Sequence, residues 1–220
     1  MALDREEIVE AALRILNEAG MDQLSTRTLA ARLGVAQPAL YWHFKSKDAL
    51  LDALNAEILA RYHTQRVPRP RQPWSSFALA NARSFRRALL AVRDGARINA
   101  RTRPTPAEFA DAERQLRLYI DAGFSAEAAL YLSITLARYV VGFVLEEQAE
   151  QGRGDAGENA ARAAQLASFP LLNRVVSPRL RAGTLNSEVV FEGGLGFLLD
   201  GFRARLAGTH QRGSRRSSRA

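Results

Sequence analysis

Residues 25–50 read STRTLAARLGVAQPALYWHFKSKDAL, and this stretch decides how the N-terminal part of the chain folds. Leu29 and Leu33 recur at helical spacing, and Gly34 follows where helices commonly stop. Pro38 lies in the first turn of a second short helix, where its missing N–H does no harm. Two short helices joined at a glycine by a turn of about three or four residues are typical of a helix-turn-helix.

The segments on both sides of this stretch are helical in pattern as well. Apolar residues recur at i, i+3, i+4, i+7 and i+8 from Ile8 to Leu16, which predicts a helix ending at Gly20. Ser25 or Thr26 can cap the next helix. Further helices are predicted at 48–63, 74–92, 94–100, 106–121, 125–150 and 187–206, and a loop at 150–161. No segment alternates like a strand, so the fold class is all-α.

The domain organisation follows from the proline-rich segment TQRVPRPRQPW, which interrupts the helical pattern at 64–74. We predict a helix-turn-helix domain over 1–63 and a larger helical domain over 74–206. The last residues, 207–220, are rich in arginine with glycine and serine between, which predicts a basic disordered tail.

The composition is that of an ordinary globular protein, with 220 residues, 47% of them hydrophobic and 25% charged. The absence of cysteine excludes disulfides and thiolate chemistry. No apolar run approaches the roughly 18 residues of a membrane helix, and the charged N-terminus is no secretory signal. We therefore expect a cytoplasmic protein with no membrane partner. The net charge of +8 favours polyanions, and the window 25–47 contains basic residues but no acidic one.

The chemistry of the second short helix points to DNA. Recognition helices need amides or guanidinium groups for base edges, small apolar groups for thymine methyls, and hydroxyls or cations for phosphate. A tyrosine–tryptophan pair is often a core feature, but consecutive helical residues point about 100° apart, so Tyr41, Trp42 and His43 cannot all face one core. The predicted DNA-contacting residues are Thr26, Arg27, Gln37, Pro38, Ala39, Tyr41, Trp42, His43 and Lys47.

The segment TLAARLGVAQPALYWHFKSKDALLDAL resembles the operator-binding segment of the TetR family of repressors. Further stretches, including SFRRALL, RDGAR, QLR and GFVLEEQ, resemble its tetracycline-responsive members through about residue 150. The resemblance implies the same DNA contacts, a palindromic operator bound by a homodimer, release by a small-molecule inducer, and control of an efflux or resistance gene. Ala39 stands where those members have a threonine, which leaves the operator sequence open.

The resemblance also implies a ligand pocket in the larger domain. Asn81 lies between Phe77 and Phe85 at i, i+4 spacing, an odd place for an amide on an apolar face. Taken singly, each such residue can equally be a satisfied buried amide or a surface residue. The pocket positions implied by the resemblance are His63, Asn81, Phe85, Asn99, Thr102, Arg103, Pro104, Gln115 and Glu146.

Asn99 is the main departure from the family pattern, because the resemblance implies a magnesium-binding histidine there. An asparagine offers only a neutral amide oxygen, and Mg²⁺ prefers carboxylate, phosphate and water oxygens. The three histidines are His43, His63 and His210, and Arg138 adds a cation to the helix before Glu146. We predict no metal site and no firm cofactor. A magnesium–tetracycline inducer is disfavoured, and a related multi-ring compound is the alternative.

Two apolar helices, 128–148 and 188–206, are predicted to form a dimer interface, with Gly193, Gly194 and Gly196 allowing close helix approach. The alternative is that both are core helices of one subunit. An enzyme is disfavoured because no Ser/His/Asp set has a supporting motif and FEGGLGF lacks the strand of a dinucleotide fingerprint. A constitutive DNA-binding or nucleoid protein is the other alternative, supported only by the basic tail.

Overall fold

A computed structural model describes residues 3–150, 156–182 and 186–217. In these ranges the chain forms α-helices and 3₁₀ turns and no strand, which confirms the predicted all-α class. The α-helices are α1 Arg5–Ala19, α2 Thr26–Leu33, α3 Gln37–His43, α4 Lys47–Tyr62, α5 Trp74–Leu90, α6 Gly95–Asn99, α7 Pro106–Asp121, α8 Ala126–Glu150, α9 Ala156–Gln165, α10 Pro170–Val175, α11 Ser177–Arg181 and α12 Ser187–Ser217.

The ends of the N-terminal helices are fixed by local capping. The Asp4 side chain accepts a hydrogen bond from the Glu7 amide at 2.7 Å, which starts α1. Of the two capping candidates for α2, Ser25 is the one that accepts from the Thr28 amide. Gly34 ends α2 in the left-handed conformation with φ +67°, where a side chain would be strained.

The N-terminal helices pack around one apolar core. The turn after Gly34 leads into α3, and Leu40 and Phe44 anchor that helix with 2% and 5% of their surface exposed. Arg5 covers the outer edge of this core, with its guanidinium carbon 4.7 Å from the centre of the Phe44 ring. The core is completed by buried apolar residues of α1, α2 and α4, including Ile8, Leu16, Leu29, Leu50 and Leu54.

The chain divides into two compact units, residues 1–148 and 149–220. The predicted boundary at 64–73 therefore lies inside the first unit rather than between units. The reason is that α4 packs against helices that come before and after this segment in the chain. Leu50 and Leu54 lie in the core with α1 and α2, while the same helix contacts α5 and α6.

In the first unit α5 and α8 are tied together by a buried ion pair. The Arg86 guanidinium donates two hydrogen bonds to the Glu147 carboxylate, at 2.7 and 3.0 Å, with little of either side chain exposed. The buried face of α8 consists of Leu132, Leu136 and Val140 at i, i+4, i+8 spacing, followed by Val144.

Within the described ranges, α8 is the one helix long and apolar enough to cross a membrane by length and composition. The sequence-based statement that no apolar run approaches this length is therefore wrong. Ser133, Thr135 and Arg138 interrupt the apolar run in this helix, so that no unbroken apolar stretch marks it in the sequence. The core helix of a globular protein can have the same length and composition, so these two properties do not assign α8 to a membrane.

The second unit corrects two further predictions. Residues 156–161, predicted as part of a loop, begin α9, since alanine has the highest helix propensity. The helix packs on α11, where the Ser177 hydroxyl donates to the Ala163 carbonyl at 3.3 Å. The expected disordered tail from 207 differs from the structure, in which α12 continues to Ser217 because no proline stops it. Residues 151–155 of the predicted loop and 218–220 of the tail lie outside the described ranges.

The corner between α5 and α6 requires a glycine. Asp94 precedes α6 in the left-handed conformation at φ 59°, and this brings Gly95 against the last turn of α5. A Cβ at Gly95 would lie 2.3 Å from the Leu89 carbonyl oxygen, so any side chain there must displace backbone.

We predict that Gly95→Ala lowers the free energy of unfolding by about 2 kcal/mol, because the added methyl overpacks a backbone contact. Urea denaturation at neutral pH measures the change. The control is Gly208→Ala in α12, where an added Cβ meets nothing within 4 Å and helix propensity favours alanine. Equal stability of the two variants would contradict the packing assigned to the α5–α6 corner.

Candidate functional site

Eight of the nine predicted DNA-contacting residues lie on α2 and α3, and Lys47 follows at the start of α4. Trp42 is 90% exposed and Tyr41 is 47% exposed, while His43 is half-buried. The three consecutive side chains thus do not share a core, as helical geometry requires. Since Leu40 and Phe44 hold α3 from beneath, its outer residues are presented on a fixed helix rather than on a loop.

The start of α3 is held against the start of α2 by a side-chain hydrogen bond. The Gln37 amide donates to the Thr26 hydroxyl at 2.8 Å, which places both next to the exposed Arg27. Lys47 is exposed at the first turn of α4, on the same stretch of chain. The arrangement combines amide, hydroxyl, aromatic and cationic groups at the N-terminal end of an exposed helix, as base and phosphate recognition requires.

A cavity of about 350 Å³ lies in the first unit, within the size range of ligand pockets. Its interior is mostly apolar, and it opens beside the exposed residues Phe109, Ala112 and Ala137. The lining residues come from α4 to α8 and their connections: Leu59, His63, Arg66, Asn81, Ala82, Phe85, Asn99, Pro104, Glu108, Phe109, Asp111, Ala112, Gln115, Tyr119, Ser133, Leu136, Ala137 and Val140.

His63 is buried in the cavity wall and neutral. Its Nδ1 lies 3.0 Å from the Ser84 hydroxyl, and its Nε2 lies 3.4 Å from the Asn81 amide nitrogen. Burial, followed by the charges of Arg66 and Arg87, lowers the pKa of His63 to about 3. A neutral imidazole with both nitrogens in contact with protein groups acts as part of the wall rather than as a proton donor.

The cavity amides share one orientation. Asn81 donates to the Gln65 carbonyl at 2.9 Å, and Gln115 donates to the Arg66 carbonyl at 2.7 Å. A carbonyl can only accept, so these contacts fix which end of each amide is the nitrogen. Among the described residues, no protein group donates a hydrogen bond to the amide oxygen of Asn81 or Gln115.

Three of the nine predicted ligand residues do not line the cavity. Thr102 donates from its hydroxyl to the Asn99 carbonyl, and the Arg103 amide donates to Asp52, with the Arg103 side chain exposed. Glu146 is exposed on α8, because the cavity face of that helix runs from Ser133 to Val140 at helical spacing and residue 146 falls on another face. The other six, His63, Asn81, Phe85, Asn99, Pro104 and Gln115, surround the cavity.

The sequence did not predict several of the lining residues, and α7 supplies five of these: Glu108, Phe109, Asp111, Ala112 and Tyr119. Glu108, Asp111 and Tyr119 share a face with the predicted Gln115, since they lie seven and four residues before it and four residues after it on this helix. Extending the stripe in both directions from Gln115 would have found them. Arg66 lies in the irregular 63–73 segment, where periodicity gives no signal, and it pairs with Asp111 at 3.4 Å.

The residues present do not fit a bound magnesium ion. No group of three or more histidine, aspartate or glutamate side chains in the described ranges could hold a metal. The Asn99 amide donates to Asn55 at 3.0 Å, and Glu146 lies away from the cavity. Neutral amide oxygens are weak ligands for Mg²⁺, so the cavity is suited to a ligand bound without a metal.

The short helix α6 joins the cavity to α1, α2 and α3. These three are called the DNA-contacting helices below, because they carry the predicted DNA contacts or pack beneath them. At its N-terminal end the Asp94 carboxylate accepts a hydrogen bond from the Met21 amide at 2.8 Å. Arg97 bridges Asp94 and Asp22, at 3.1 and 2.9 Å, and its hydrogen bond is the main cause of a lowered pKa of Asp22. At its C-terminal end Asn99 lines the cavity and contacts the buried Asn55 of α4.

A second set of contacts reinforces the attachment to α1. The Asn17 side chain accepts from the Arg93 amide at 3.0 Å, and the Arg93 guanidinium donates to the Glu18 carbonyl at 3.1 Å. An exposed helix-turn-helix attached in this way to a cavity-lining helix defines a ligand-responsive DNA-binding repressor.

Comparison with known proteins gives the family. Residues 8–54 match the bacterial regulatory proteins of the tetR family, and residues 67–206 match the tetracyclin repressor-like C-terminal domain. The chain belongs to the TetR family, which confirms the resemblance found in the sequence.

Individual relatives support the same assignment over nearly the whole chain. The tetracycline repressor protein class A from transposon 1721 of Escherichia coli is 49% identical over 203 residues, 92% of each protein. A structure of TetR (class A) with 5a,6-anhydrotetracycline and magnesium is 41% identical with a TM-score of 0.71, covering 92% of this chain and 99% of that one. ActR of Streptomyces coelicolor in complex with actinorhodin is 33% identical with a TM-score of 0.80, covering 94% and 98%.

We predict that His63 makes the protein less stable in mild acid. Its folded pKa of about 3 lies below the unfolded value near 6.5, so the unfolded state binds the extra proton and stability falls as pH drops below about 6.5. Between pH 7 and pH 5 the wild type should lose about 2 kcal/mol more than His63→Gln. Urea denaturation of both proteins at the two pH values measures this difference. Parallel losses would show that His63 is protonated in the folded protein.

Proposed function

We propose that this chain represses an efflux or resistance gene by binding a palindromic operator as a homodimer, and that a multi-ring aromatic compound releases it without a metal ion. The observation that carries the proposal is the position of α6. One end of this helix lines the cavity through Asn99, and the other holds the DNA-contacting helices through Asp94 and Met21. A ligand that moves α6 therefore changes the placement of the DNA-reading surface.

The proposed DNA contacts divide into two kinds by chemistry. Gln37, Pro38 and Ala39, at the start of α3, offer an amide and small apolar groups to base edges in the major groove. Tyr41, Trp42, His43 and Lys47, with Thr26 and Arg27 from α2, hold the phosphate backbone or adjacent base edges. Cytoplasmic location follows from this role, since the operator is chromosomal or plasmid DNA.

The proposed dimer is supported by apolar residues that each unit leaves exposed. Leu130, Tyr131 and Ile134 of α8 are 40–51% exposed, and Phe197 of α12 is 80% exposed. Added Cβ atoms at Gly193 and Gly196 would meet no described atom of the chain within 4 Å, which leaves room for close helix approach from a second subunit. A two-fold dimer presents two recognition helices to half-sites about 34–36 Å apart.

The proposed switch is a change in the separation of those two helices. Asn99 shares a hydrogen bond with Asn55, so a ligand that displaces Asn99 disturbs α4 as well as α6. Misplacing both heads loses several base and phosphate contacts at once. Since each mismatched position costs about 1–3 kcal/mol, a small displacement is enough to release the operator.

Two substitutions should separate base reading from phosphate binding. For Lys47→Ala we expect weaker binding to all DNA sequences and a slope of log K against log salt that falls by about 2, one phosphate from each half-site. For Gln37→Ala we expect an unchanged slope and a relaxed base preference at one position in each half-site, worth about 1–3 kcal/mol.

The measurement is fluorescence anisotropy on an operator selected from random DNA, repeated on single-base variants over a range of salt concentrations. A loss of sequence preference in Lys47→Ala, or a changed salt slope in Gln37→Ala, would reverse the assigned roles. Protection of DNA without any sequence preference by the wild type would instead identify a constitutive nucleoid-type protein.

We expect inducers of this protein to act without magnesium. Anhydrotetracycline, minocycline and actinorhodin are suitable probes, because proteins similar to this one are named in complex with them. Each compound that raises the melting temperature or releases the operator should do so equally in EDTA and in millimolar MgCl₂. Release that requires MgCl₂ would contradict metal-free binding, and Asn99→His serves as the control in which a metal response can appear.

A further inference from the structure

Tyr119 is the polar residue of the cavity that the protein leaves unpaired. It lines the cavity from α7, and only 2% of its surface is exposed. In the described ranges its hydroxyl has no hydrogen-bond partner, whereas His63, Asn81, Gln115 and Ser133 all have one. The Tyr119 hydroxyl therefore keeps a hydrogen-bond donor that a ligand oxygen in the cavity can use.

The Tyr119 hydroxyl is not fully shut off from solvent. Every side-chain nitrogen or oxygen that is fully shut off from solvent in the described part of the chain has a hydrogen-bond partner. Because the Tyr119 hydroxyl has none, it belongs to the small accessible fraction of a residue that lines this space. Its ring is fixed by Trp74 and Phe77, with ring centres 6.5 and 6.2 Å away, so the hydroxyl is held in place.

Tyr119 is available as a hydrogen-bond donor throughout the physiological range. Burial raises the pKa of its phenol above the usual range, so the proton stays on the oxygen. The other polar lining groups offer the opposite character. Asn81 and Gln115 give their amide nitrogens to protein carbonyls and leave their oxygens free, and the Ser133 hydroxyl donates to Ala129.

The carboxylates of the cavity are already occupied and add no further donor. Asp111 accepts hydrogen bonds from Arg114 at 2.5 Å and pairs with Arg66 at 3.4 Å, and Glu108 accepts from the Thr105 amide at 2.7 Å. The cavity therefore combines the fixed phenol donor of Tyr119 and the guanidinium of Arg66 with the free amide oxygens of Asn81 and Gln115, enclosed by apolar side chains. Such a pattern is complementary to a ring system that carries both carbonyl and hydroxyl groups.

We propose that Tyr119 determines the specificity of this pocket by donating a hydrogen bond to a carbonyl oxygen of the inducer, while the amide oxygens of Asn81 and Gln115 accept from its hydroxyl groups. The ligand class is a hydroxylated polycyclic quinone or ketone, bound directly. This inference rests on the proposed function for the claim that ligand binding releases DNA, but the contact itself is independent of that claim.

The chain provides a reporter for testing the contact. Its two tryptophans are Trp42, exposed on α3, and Trp74, which lies next to Tyr119. In a Trp42→Phe background the remaining fluorescence comes from Trp74. The probes are 2,6-dihydroxyanthraquinone and its dimethyl ether, which keeps the carbonyl acceptors and loses the hydroxyl donors.

We expect Tyr119→Phe to weaken binding of both probes by about 5- to 10-fold, because the lost hydrogen bond is to the carbonyl present in both. Methylation of the probe should weaken binding to both proteins by at least a similar factor. The matched control is Tyr62→Phe, an exposed tyrosine of α4 outside the cavity lining, which should bind like the parent. The melting temperature without ligand should match that of the Trp42→Phe parent in both tyrosine variants, which shows that folding is intact. Operator release is assayed with Trp42 in place, because Trp42 is itself a proposed DNA contact.

The proposal is overturned if Tyr119→Phe binds both probes as tightly as its parent, or if the parent binds neither probe. A failure of the proposed function gives a different set of results from a failure of the Tyr119 contact. If the probes bind and Tyr119→Phe weakens them, but neither releases the operator, the contact stands and ligand control by this class fails. If other compounds release the operator while Tyr119→Phe has no effect on them or on the probes, repression stands and the specificity role fails.

Discussion

The structure depends on the five-residue helix α6, because two different sites meet at its ends. It spans only about 7.5 Å at the rise of an α-helix, too short to bend independently of its neighbours. Gly95 packs against the α5 backbone without room for a methyl group, and Gln148 of α8 holds the corner by accepting from the Ala96 amide and donating to the Leu89 and Val92 carbonyls. Movement at the cavity end is therefore transmitted to the Asp94 end.

The attachment of α6 to the DNA-contacting helices has an apolar and a polar part. Ile98 of α6 is buried in the same core as Ile8 and Leu54 of α1 and α4, and this packing has no strict directional requirement. The hydrogen bonds from Met21 to Asp94 and from Arg97 to Asp22 have a definite geometry and are lost over a short displacement. In the proposed switch, these polar contacts change while the apolar core stays closed.

Local patterns in the sequence predicted many of the helices and their ends. They could not predict contacts between residues that are far apart in the sequence. The caps at Ser25 and Ser46, the stop at Gly34 and the placement of Pro38 depend on residues close in sequence, and the helix-turn-helix follows from them. The short helices between 156 and 181 were not predicted, because helices of five to ten residues give little periodic signal.

In the candidate site, too, the sequence indicated individual residues but not the contacts between distant ones. Six pocket residues were found through a family resemblance, yet Arg103 and Glu146 lie outside the cavity because the local turn and the helix face direct them elsewhere. The contacts of Asn99 with Asn55 and of Asp94 with Met21 join residues 44 and 73 positions apart, which no local pattern reveals. Tyr119 was within reach of helical spacing, but its unpaired hydroxyl was visible only in the structure.

The central claim is that ligand in the cavity loosens the hold of α6 on the DNA-contacting helices. The Met21 amide reports on this directly, because its hydrogen bond to Asp94 belongs to that attachment. The decisive measurement is the hydrogen-exchange rate of this amide, resolved by NMR, with and without a compound that releases the operator. The account predicts that exchange at Met21 accelerates when the ligand binds, while amides in the core of α1 keep their protection. Operator release with an unchanged Met21 rate would contradict it.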